Sequence, residues 1–531
     1  MPPSPPFDLA RQSVSMNNPN VTSPNPHEFL RPMLKESVDR FLLEHGRQSS
    51  DLSHFSSVFA RLLRGLPSPP LEIAWFYCAA TPHSSMVAGS DPLGSDQVSR
   101  VKELFQLLVS CSDGCSPVKK VAFLAPVVCE LYRLVSEWKV LKTEALWLLD
   151  VMISYMIICC GSGFCEDEES ENLSLCFLDV VRVWTADKCR SGMASDSKRS
   201  FFPLVSEGVC EEIGEGCKVG FLAGIVMSQV FLLRLCLKFD QRTLRAELGK
   251  DMLTWSVNTI AGFRNFYFMD ILLRMLLPSV LPCTPLLKFE DENYLREVLY
   301  DCLIMVDYPF LNPQTERELC GKGFKNTVIL LLLVAESAIR FVRENGDDEK
   351  VHLYSKALSE SRLSFHLIEW VTYQIDYGSI SKPTHLSPAS LMKWLLTAEN
   401  LGMKVFDNDD VRLHAKAVIC RSRGEIETPV DKPRIDEASS FTHNEVPWNY
   451  LLEENWGKVD SMDTCQPEIT TVSVARKRKE GRRDGLELPF KLLRCTRENY
   501  KFLVEGMNGG LSNGIRVNDL HADESALAME H

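Results

Sequence analysis

The chain has 531 residues, of which 45% are hydrophobic and 24% are charged. This balance is typical of a folded protein with a large core and excludes a mainly disordered chain. The formal net charge of -13 argues against a protein whose main work is to coat nucleic acid, because that work needs a dominant basic surface.

Residues 1–26 are rich in Pro, Ser and Asn. We expect a disordered tail there, because few apolar side chains are present to offset the entropy of ordering. A helical domain is predicted from residue 27 to residue 420. Its first two helices carry apolar residues three and four positions apart, so each has one apolar face. These residues are Leu30, Leu34, Val38, Phe41 and Leu42 in the first helix, and Leu52, Phe55, Phe59, Leu62 and Leu66 in the second.

Apolar periodicity continues along most of this domain. A polar loop is predicted over 81–93, and Ser95 is predicted to cap the next helix. Pro126 predicts a kink or a boundary between two shorter helices within 118–135. Further helices are predicted over 143–160, 172–187, 217–239, 242–261, 263–277, 290–306, 325–344, 350–375 and 388–405.

Two of these segments are unusually apolar, 145–160 and 219–233. Both are shorter than the ~18 to 20 residues that a membrane span needs, so we interpret both as buried helices. The total is about a dozen helices, and alternating runs that would indicate strands are missing. The sequence therefore predicts an all-α fold, as an α-solenoid of irregular HEAT/armadillo-like hairpins. A compact helical bundle is the alternative.

The character of the sequence changes after residue 420. Residues 421–485 are charged and proline-bearing, which predicts a polar linker arm. Within this arm a tryptophan-containing segment has apolar residues at helical spacing, which suits a short helix that docks into a groove. Residues 486–505 are predicted to form a terminal helix and 506–531 a disordered tail. The predicted docking residues of the arm are Trp448, Leu451, Leu452 and Trp456.

A basic cluster follows the tryptophan segment. Six cations within eight residues resemble a nuclear-import sequence, and the same cations could contact phosphates. A solvated charge run without a receptor is the alternative interpretation. The six residues are Arg476, Lys477, Arg478, Lys479, Arg482 and Arg483.

The sequence contains none of the usual catalytic or nucleotide-binding motifs, so we predict no catalytic residues, no cofactor and no enzyme activity. Cys111 and Cys115 are spaced as a pair, but their surroundings do not resemble a zinc module. Most of the 18 cysteines lie in apolar stretches and are interpreted as core thiols in a reducing compartment. His366 and Glu369 lie one helical turn apart, and we interpret them as packing and surface charge.

Residues 386–407 (LSPASLMKWLLTAENLGMKVFD), followed at a distance by VARKRKEGRRD, resemble the plant-type helical non-SMC element subunit of the SMC-family DNA-repair complex. The resemblance implies a non-enzymatic solenoid over most of 27–505 that pairs with another helical subunit of a multi-protein complex. It implies contact with DNA that is indirect or local.

The leading hypothesis is therefore a nuclear helical scaffold that binds protein partners, in an SMC-type genome-maintenance complex, with no membrane partner. One alternative is a cytosolic α-solenoid adaptor in trafficking or transport, in which the basic cluster is incidental. The other is a helical enzyme with an unrecognised site that uses a cysteine or His366.

Overall fold

The computed structural model describes residues 26–47, 53–85, 95–137, 142–161, 171–174, 176–189, 196–214, 216–239, 244–312, 322–375, 381–383 and 386–424. These ranges contain nineteen α-helices and two short 3-10 helices. Within them the only strand-like pairing is one antiparallel bridge between Asn172 and Lys218. The predicted all-α class is confirmed.

Seven helices form the N-terminal part of the described chain. They begin around an aromatic cluster in which Phe76 contacts Phe41, Phe55 and Phe59 at ring-centroid distances of 5.6, 5.9 and 4.7 Å. Edge-to-face packing of this kind adds to the free energy of burying the rings. The helices are α1 (Pro26–Gly46), α2 (Ser53–Gly65), α3 (Leu71–Ser85), α4 (Ser95–Cys111), α5 (Pro117–Ala122), α6 (Ala125–Glu137) and α7 (Lys142–Gly161).

The next seven helices surround the most buried element of the fold, α11. Eighteen of its twenty residues are buried, so its uniform apolarity is explained by packing on all sides. The helices are α8 (Phe177–Cys189), α9 (Ser197–Phe201), α10 (Glu207–Glu212), α11 (Val219–Lys238), α12 (Arg245–Phe263), α13 (Phe266–Leu276) and α14 (Phe289–Ile304).

Five further helices complete the described chain. Ser387 caps the fourth of them, since its hydroxyl accepts a hydrogen bond from Ser390 N at 3.2 Å, and Pro388 occupies the first turn as predicted. The helices are α15 (Lys322–Glu344), α16 (Asp348–Glu360), α17 (Arg362–Gln374), α18 (Pro388–Asn400) and α19 (Asp409–Gly424).

The packing follows two runs of neighbouring helices. In the inner run, α5 packs against α11, α11 against α13, and α13 against α15. In the outer run, α4, α7, α12, α14 and α16 each pack against the next. The outer helices also pack against the inner ones, for example α7 against α5 and α11. Neighbouring helix pairs of this kind are what a solenoid needs, and the solenoid arrangement itself stays a prediction.

The inner run is tight where α11 crosses α13. A Cβ atom added at Gly224 would lie 2.7 Å from the backbone carbon of Tyr267. One turn earlier, a Cβ at Gly220 would lie 2.6 Å from the Tyr267 ring. The two glycines therefore let the two backbones approach to a distance that no larger residue would permit.

Some helix boundaries differ from the predicted ones. Helix α3 was not predicted, and its last turn lies in the expected polar loop. Helix α19 was also not predicted. The segment 350–375 is two helices that meet at Ser361, and Pro126 lies at a boundary between two helices as expected. The predicted arm begins at residue 421, but residues 421–424 are the last residues of α19. Residues 1–25 and 425–531, which include the rest of the predicted arm, the terminal helix and the C-terminal tail, lie outside the described residues.

Candidate protein-interaction surface

None of the predicted site residues can be placed in the fold. Trp448, Leu451, Leu452 and Trp456, the predicted docking segment, lie outside the described residues. The basic cluster Arg476, Lys477, Arg478, Lys479, Arg482 and Arg483 also lies outside them. Both remain predictions. The strongest candidate surface within the described chain was not predicted, and it lies on α7.

Two helices of the described chain, Thr143–Gly161 in α7 and Val219–Lys238 in α11, are long and apolar enough to cross a membrane by length and composition alone. They differ in burial, because 94% of the α11 window is buried and only 44% of the α7 window. The prediction of a buried helix is therefore right for α11. It is wrong for one side of α7, whose apolar residues reach the solvent.

The exposed side of α7 is a row of residues at spacings of four, three and four. Trp147 is 58% exposed and Ile158 is 71% exposed. Between them, Val151 is partly buried and Ser154 is exposed. These four residues share one side of the helix and span about 17 Å at 1.5 Å per residue. We refer to them as the α7 face.

The flanks of the α7 face are formed by the neighbouring helices of the outer run. On one side, Phe105 of α4 meets Tyr155 of α7 edge to face at 5.9 Å. Burial raises the pKa of Tyr155 to about 12, so its hydroxyl stays neutral. On the other side, a Cβ at Gly262 of α12 would lie 2.9 Å from the Ile157 side chain. The rigid packing on both sides holds the exposed row in a fixed position.

An ion pair between a half-exposed carboxylate of α7 and a buried arginine of α11 joins these two helices. Asp150 accepts hydrogen bonds from Arg234 of α11, at 2.8 Å from Nε and 3.4 Å from Nη2. The Arg234 guanidinium also lies 4.7 Å from the centroid of the Trp255 ring on α12. Burial, together with the Arg234 cation, lowers the pKa of Lys238 one turn further along α11. These contacts join α7, α11 and α12.

Lys102 of α4 provides the charge beside the exposed row. Its Nζ lies 5.6 Å from the centroid of the Trp147 ring, within the range of a cation–π contact. Lys102 is exposed, and it forms no ion pair with another residue that the structure describes. The α7 face and Lys102 together therefore present a tryptophan, an isoleucine and a cation without an ion-pair partner among the described residues.

The cysteines that suggested a metal or a nucleophile are placed unfavourably for either role. Cys115 is buried and accepts a hydrogen bond from Ser68 Oγ at 3.6 Å. Burial raises the pKa of Cys111 and Cys159, and raises that of Cys160 to about 12, so the reactive thiolate is disfavoured. In the described ranges, no group of three or more His, Cys, Asp or Glu side chains is placed to hold a metal ion.

The other motifs considered in the sequence lie at ordinary surface and core positions. His366 Nδ1 is 3.4 Å from Glu369 Oε2 in a solvent-exposed pair on α17. Phe263 and Phe268 pack edge to face at 4.9 Å inside the core. Neither arrangement adds a binding site.

The comparisons with known proteins add no family. No protein-family model, curated protein or solved structure matches this chain. The resemblance to a non-SMC element subunit therefore stays a prediction that rests on residues 386–407 and the basic cluster.

Proposed function

We propose that this chain is a non-enzymatic helical scaffold that holds a partner protein against the α7 face. The observation that carries the proposal is the exposure of Trp147 and Ile158 on a helix of predominantly apolar sequence. Exposed apolar rows flanked by polar residues mark interaction sites in soluble proteins. Tryptophan is also the residue most enriched among the side chains that dominate interface energies.

The occupant that suits this face is an amphipathic helix of the partner. The α7 face follows one helix for three turns, and a second helix laid along it would place its own apolar residues at matching intervals. A carboxylate of the partner helix beside the tryptophan end would pair with Lys102. The partner is therefore an amphipathic helix with an acidic residue near one end of its apolar row.

The proposal also assigns the scaffold to the nucleus, as a regulatory subunit of an SMC-type genome-maintenance complex. The nuclear assignment is supported by two sequence features, the basic cluster 476–483 and the resemblance of residues 386–407 to a non-SMC element subunit. Deletion of residues 476–483 is expected to move a fluorescent fusion of the full chain from the nucleus to the cytoplasm. Unchanged nuclear accumulation would instead favour the view that the cluster is an incidental charge run.

The test of the α7 face is affinity purification of the tagged full-length chain from nuclear extract. We compare the natural protein with a double variant, Trp147→Glu with Ile158→Glu. The matched control is Leu413→Glu, which changes another exposed leucine, 43% exposed, on α19. Urea unfolding midpoints of the three proteins establish that each is folded.

The expected result is that a stoichiometric partner is retained by the natural chain and the control and lost by the double variant. Burying the exposed part of Trp147 alone corresponds to roughly 3 kcal/mol, which is more than a hundredfold in affinity. Recovery of an SMC ATPase with its helical subunits supports the nuclear assignment. Retention of every partner by the folded double variant contradicts the α7 proposal, and stoichiometric trafficking proteins would favour the cytosolic adaptor.

A further inference from the structure

A second surface lies outside α7, where the one strand-like segment of the described chain meets α1 and α3. Residues 171–174 pair with 217–219 through two hydrogen bonds, Leu173 N to Cys217 O and Val219 N to Glu171 O, both at 2.8 Å. These bonds flank the bridge between Asn172 and Lys218. In such an antiparallel pair, the N–H and C=O groups of the bridging residue point away from the partner segment.

The outer edge of this segment is therefore the edge that Asn172 and Ser174 present. Ser174 N, on the same edge, donates to Glu72 Oε1 of α3 at 2.7 Å. The main-chain N–H and C=O groups of Asn172 form no hydrogen bond with any residue in the described ranges. One donor and one acceptor are thus left at an open edge, which is the arrangement that an added extended chain completes.

A cavity of about 210 Å³ adjoins this open edge. Leu30 and Leu34 of α1 and Ile73 of α3 provide its apolar wall, and Asn172 and Ser174 line the opposite side. The volume is smaller than the ~300 to 1,000 Å³ of typical small-molecule sites and suits one long side chain. We refer to this cavity and its open edge as the α1–α3 groove.

The polar groups in the α1–α3 groove favour a ligand that donates hydrogen bonds and carries a positive charge. Glu72 is only 2% exposed, and its second oxygen, Oε2, accepts no hydrogen bond from the residues described. The Ser174 hydroxyl is buried and also has no partner within those residues. A buried carboxylate that lacks a cation is costly, because the charge has lost its water without gaining an opposite charge.

The other charged groups of the groove do not supply that cation. Glu171 is held by Lys119, whose Nζ lies 2.9 Å from Glu171 Oε1. Lys119 Nζ also donates to Ser68 Oγ at 3.4 Å, and it forms no ion pair with Glu72. Arg31 lies exposed at the rim, where it is available to a carboxylate or carbonyl of a ligand. Glu72 is therefore the carboxylate of the groove that no cation of the described residues pairs with.

We propose that the α1–α3 groove binds an extended peptide of a second partner protein that carries a lysine or arginine. The peptide main chain pairs with the N–H and C=O of Asn172. The aliphatic stem of its basic side chain packs against Leu30, Leu34 and Ile73, and the head group binds the Glu72 carboxylate and the Ser174 hydroxyl. This site is independent of the α7 face, so either proposal stands if the other fails.

The experiment uses the full-length chain and two labelled, end-capped pentapeptides, Val-Thr-Lys-Val-Thr and Val-Thr-Met-Val-Thr, with affinity measured by fluorescence anisotropy. We expect the lysine peptide to bind at least about tenfold more tightly, as one hydrogen bond to a charged group provides. In Glu72→Gln this preference is expected to disappear, while the glutamine amide oxygen still accepts from Ser174 N. Glu171→Gln is the matched control, and it is expected to keep the preference because Lys119 already neutralises Glu171.

The main-chain part is tested on the ligand, so that the protein stays unchanged. Each amide of the lysine peptide is N-methylated in turn, and methylation at the amide that pairs with Asn172 is expected to weaken binding about tenfold. Equal affinity of the lysine and methionine peptides overturns the proposal. So does a preference that survives in folded Glu72→Gln, or the absence of binding by either peptide at millimolar concentration. If Glu72→Gln does not fold, the comparison of the two peptides on the natural chain decides the matter.

Discussion

Replacement of Gly224 by alanine tests the close crossing of α11 and α13 on which the inner run of helices depends. The new methyl group would lie 2.7 Å from the backbone carbon of Tyr267, 2.8 Å from its carbonyl oxygen and 2.9 Å from Ile271 Cδ1. Two of these atoms belong to the backbone of α13, so relief requires the helices to separate. Overpacking of a core costs about 1 to 3 kcal/mol, and a backbone obstacle favours the upper part of that range.

The local effect of the same substitution has the opposite sign. Alanine is favoured over glycine within a helix by about 1 kcal/mol, so the net expected loss in the free energy of unfolding is about 2 kcal/mol. The matched control is Gly208→Ala in α10, where nothing lies within 4 Å of the added Cβ. This control is expected to equal the natural protein or to exceed it by less than about 1 kcal/mol.

The assay is urea unfolding of both variants and the natural chain, followed by far-ultraviolet circular dichroism. A Gly224→Ala midpoint below that of the natural protein, with Gly208→Ala unchanged or higher, supports the crossing. If Gly224→Ala were as stable as the natural protein, the two helices could not approach as closely as these distances require. Every contact that α13 makes with α11 would then need revision.

Two further predictions concern buried charges. Burial raises the pKa of Asp270, which lies beside Arg274 at 2.8 Å, to about 6. Because this folded-state pKa exceeds the ordinary value, the folded protein binds more protons between pH 4 and pH 6, and its stability falls as the pH rises through this window. Relative to the natural chain, Asp270→Asn should therefore gain about 2 to 3 kcal/mol in unfolding free energy between pH 4 and pH 7. If the unfolding free energies of the two proteins ran parallel over this pH range, the prediction would be contradicted. Asp150→Ala should lower the unfolding free energy measured in urea by about 2 kcal/mol, because Arg234 is 8% exposed and would keep no carboxylate partner. The control is Arg40→Ala, which breaks the exposed pair with Glu44 and should change the unfolding free energy by less than about 1 kcal/mol. If the two variants lost equal unfolding free energy, the burial of Arg234 would not determine how much the ion pair stabilises the fold.

The helices that could be predicted from the sequence are those with a periodic apolar face, or with an apolar run as long as those of α7 and α11. Helix α18 is the clearest case, because Ser387 and Pro388 mark its start and its buried residues recur at helical spacing. Helix α3 was missed for a physical reason: Leu71 to Ala80 is buried on nearly every side, and without a polar face no periodicity marks it as a helix.

The break between α16 and α17 shows a second limit of periodicity. The buried residues Tyr354 and Leu358 of α16 are four apart, and so are Leu363 and Leu367 of α17, so apart from one step of five residues the pattern resembles one long helix. The interruption is a single residue, Ser361, with extended backbone at φ -68° and ψ 128°. Serine favours helix starts but is frequent in helix interiors as well, so composition alone could not locate this turn.

The two candidate surfaces were missed for one shared reason, which is that exposure depends on neighbours distant in the chain. Helices α7 and α11 are alike in length and apolarity, and only the packing of other helices decides that α11 is enclosed and α7 is not. The acidic side chain of Glu72 carried no signal either, since its partner Ser174 is 102 residues away. A uniformly apolar helix sequence predicts that the helix will be buried. It does not predict how much of its surface the other helices of the same chain will cover. In our proposal a second protein covers the exposed remainder of α7, and the support for a scaffold is therefore the exposed row of Trp147 and Ile158.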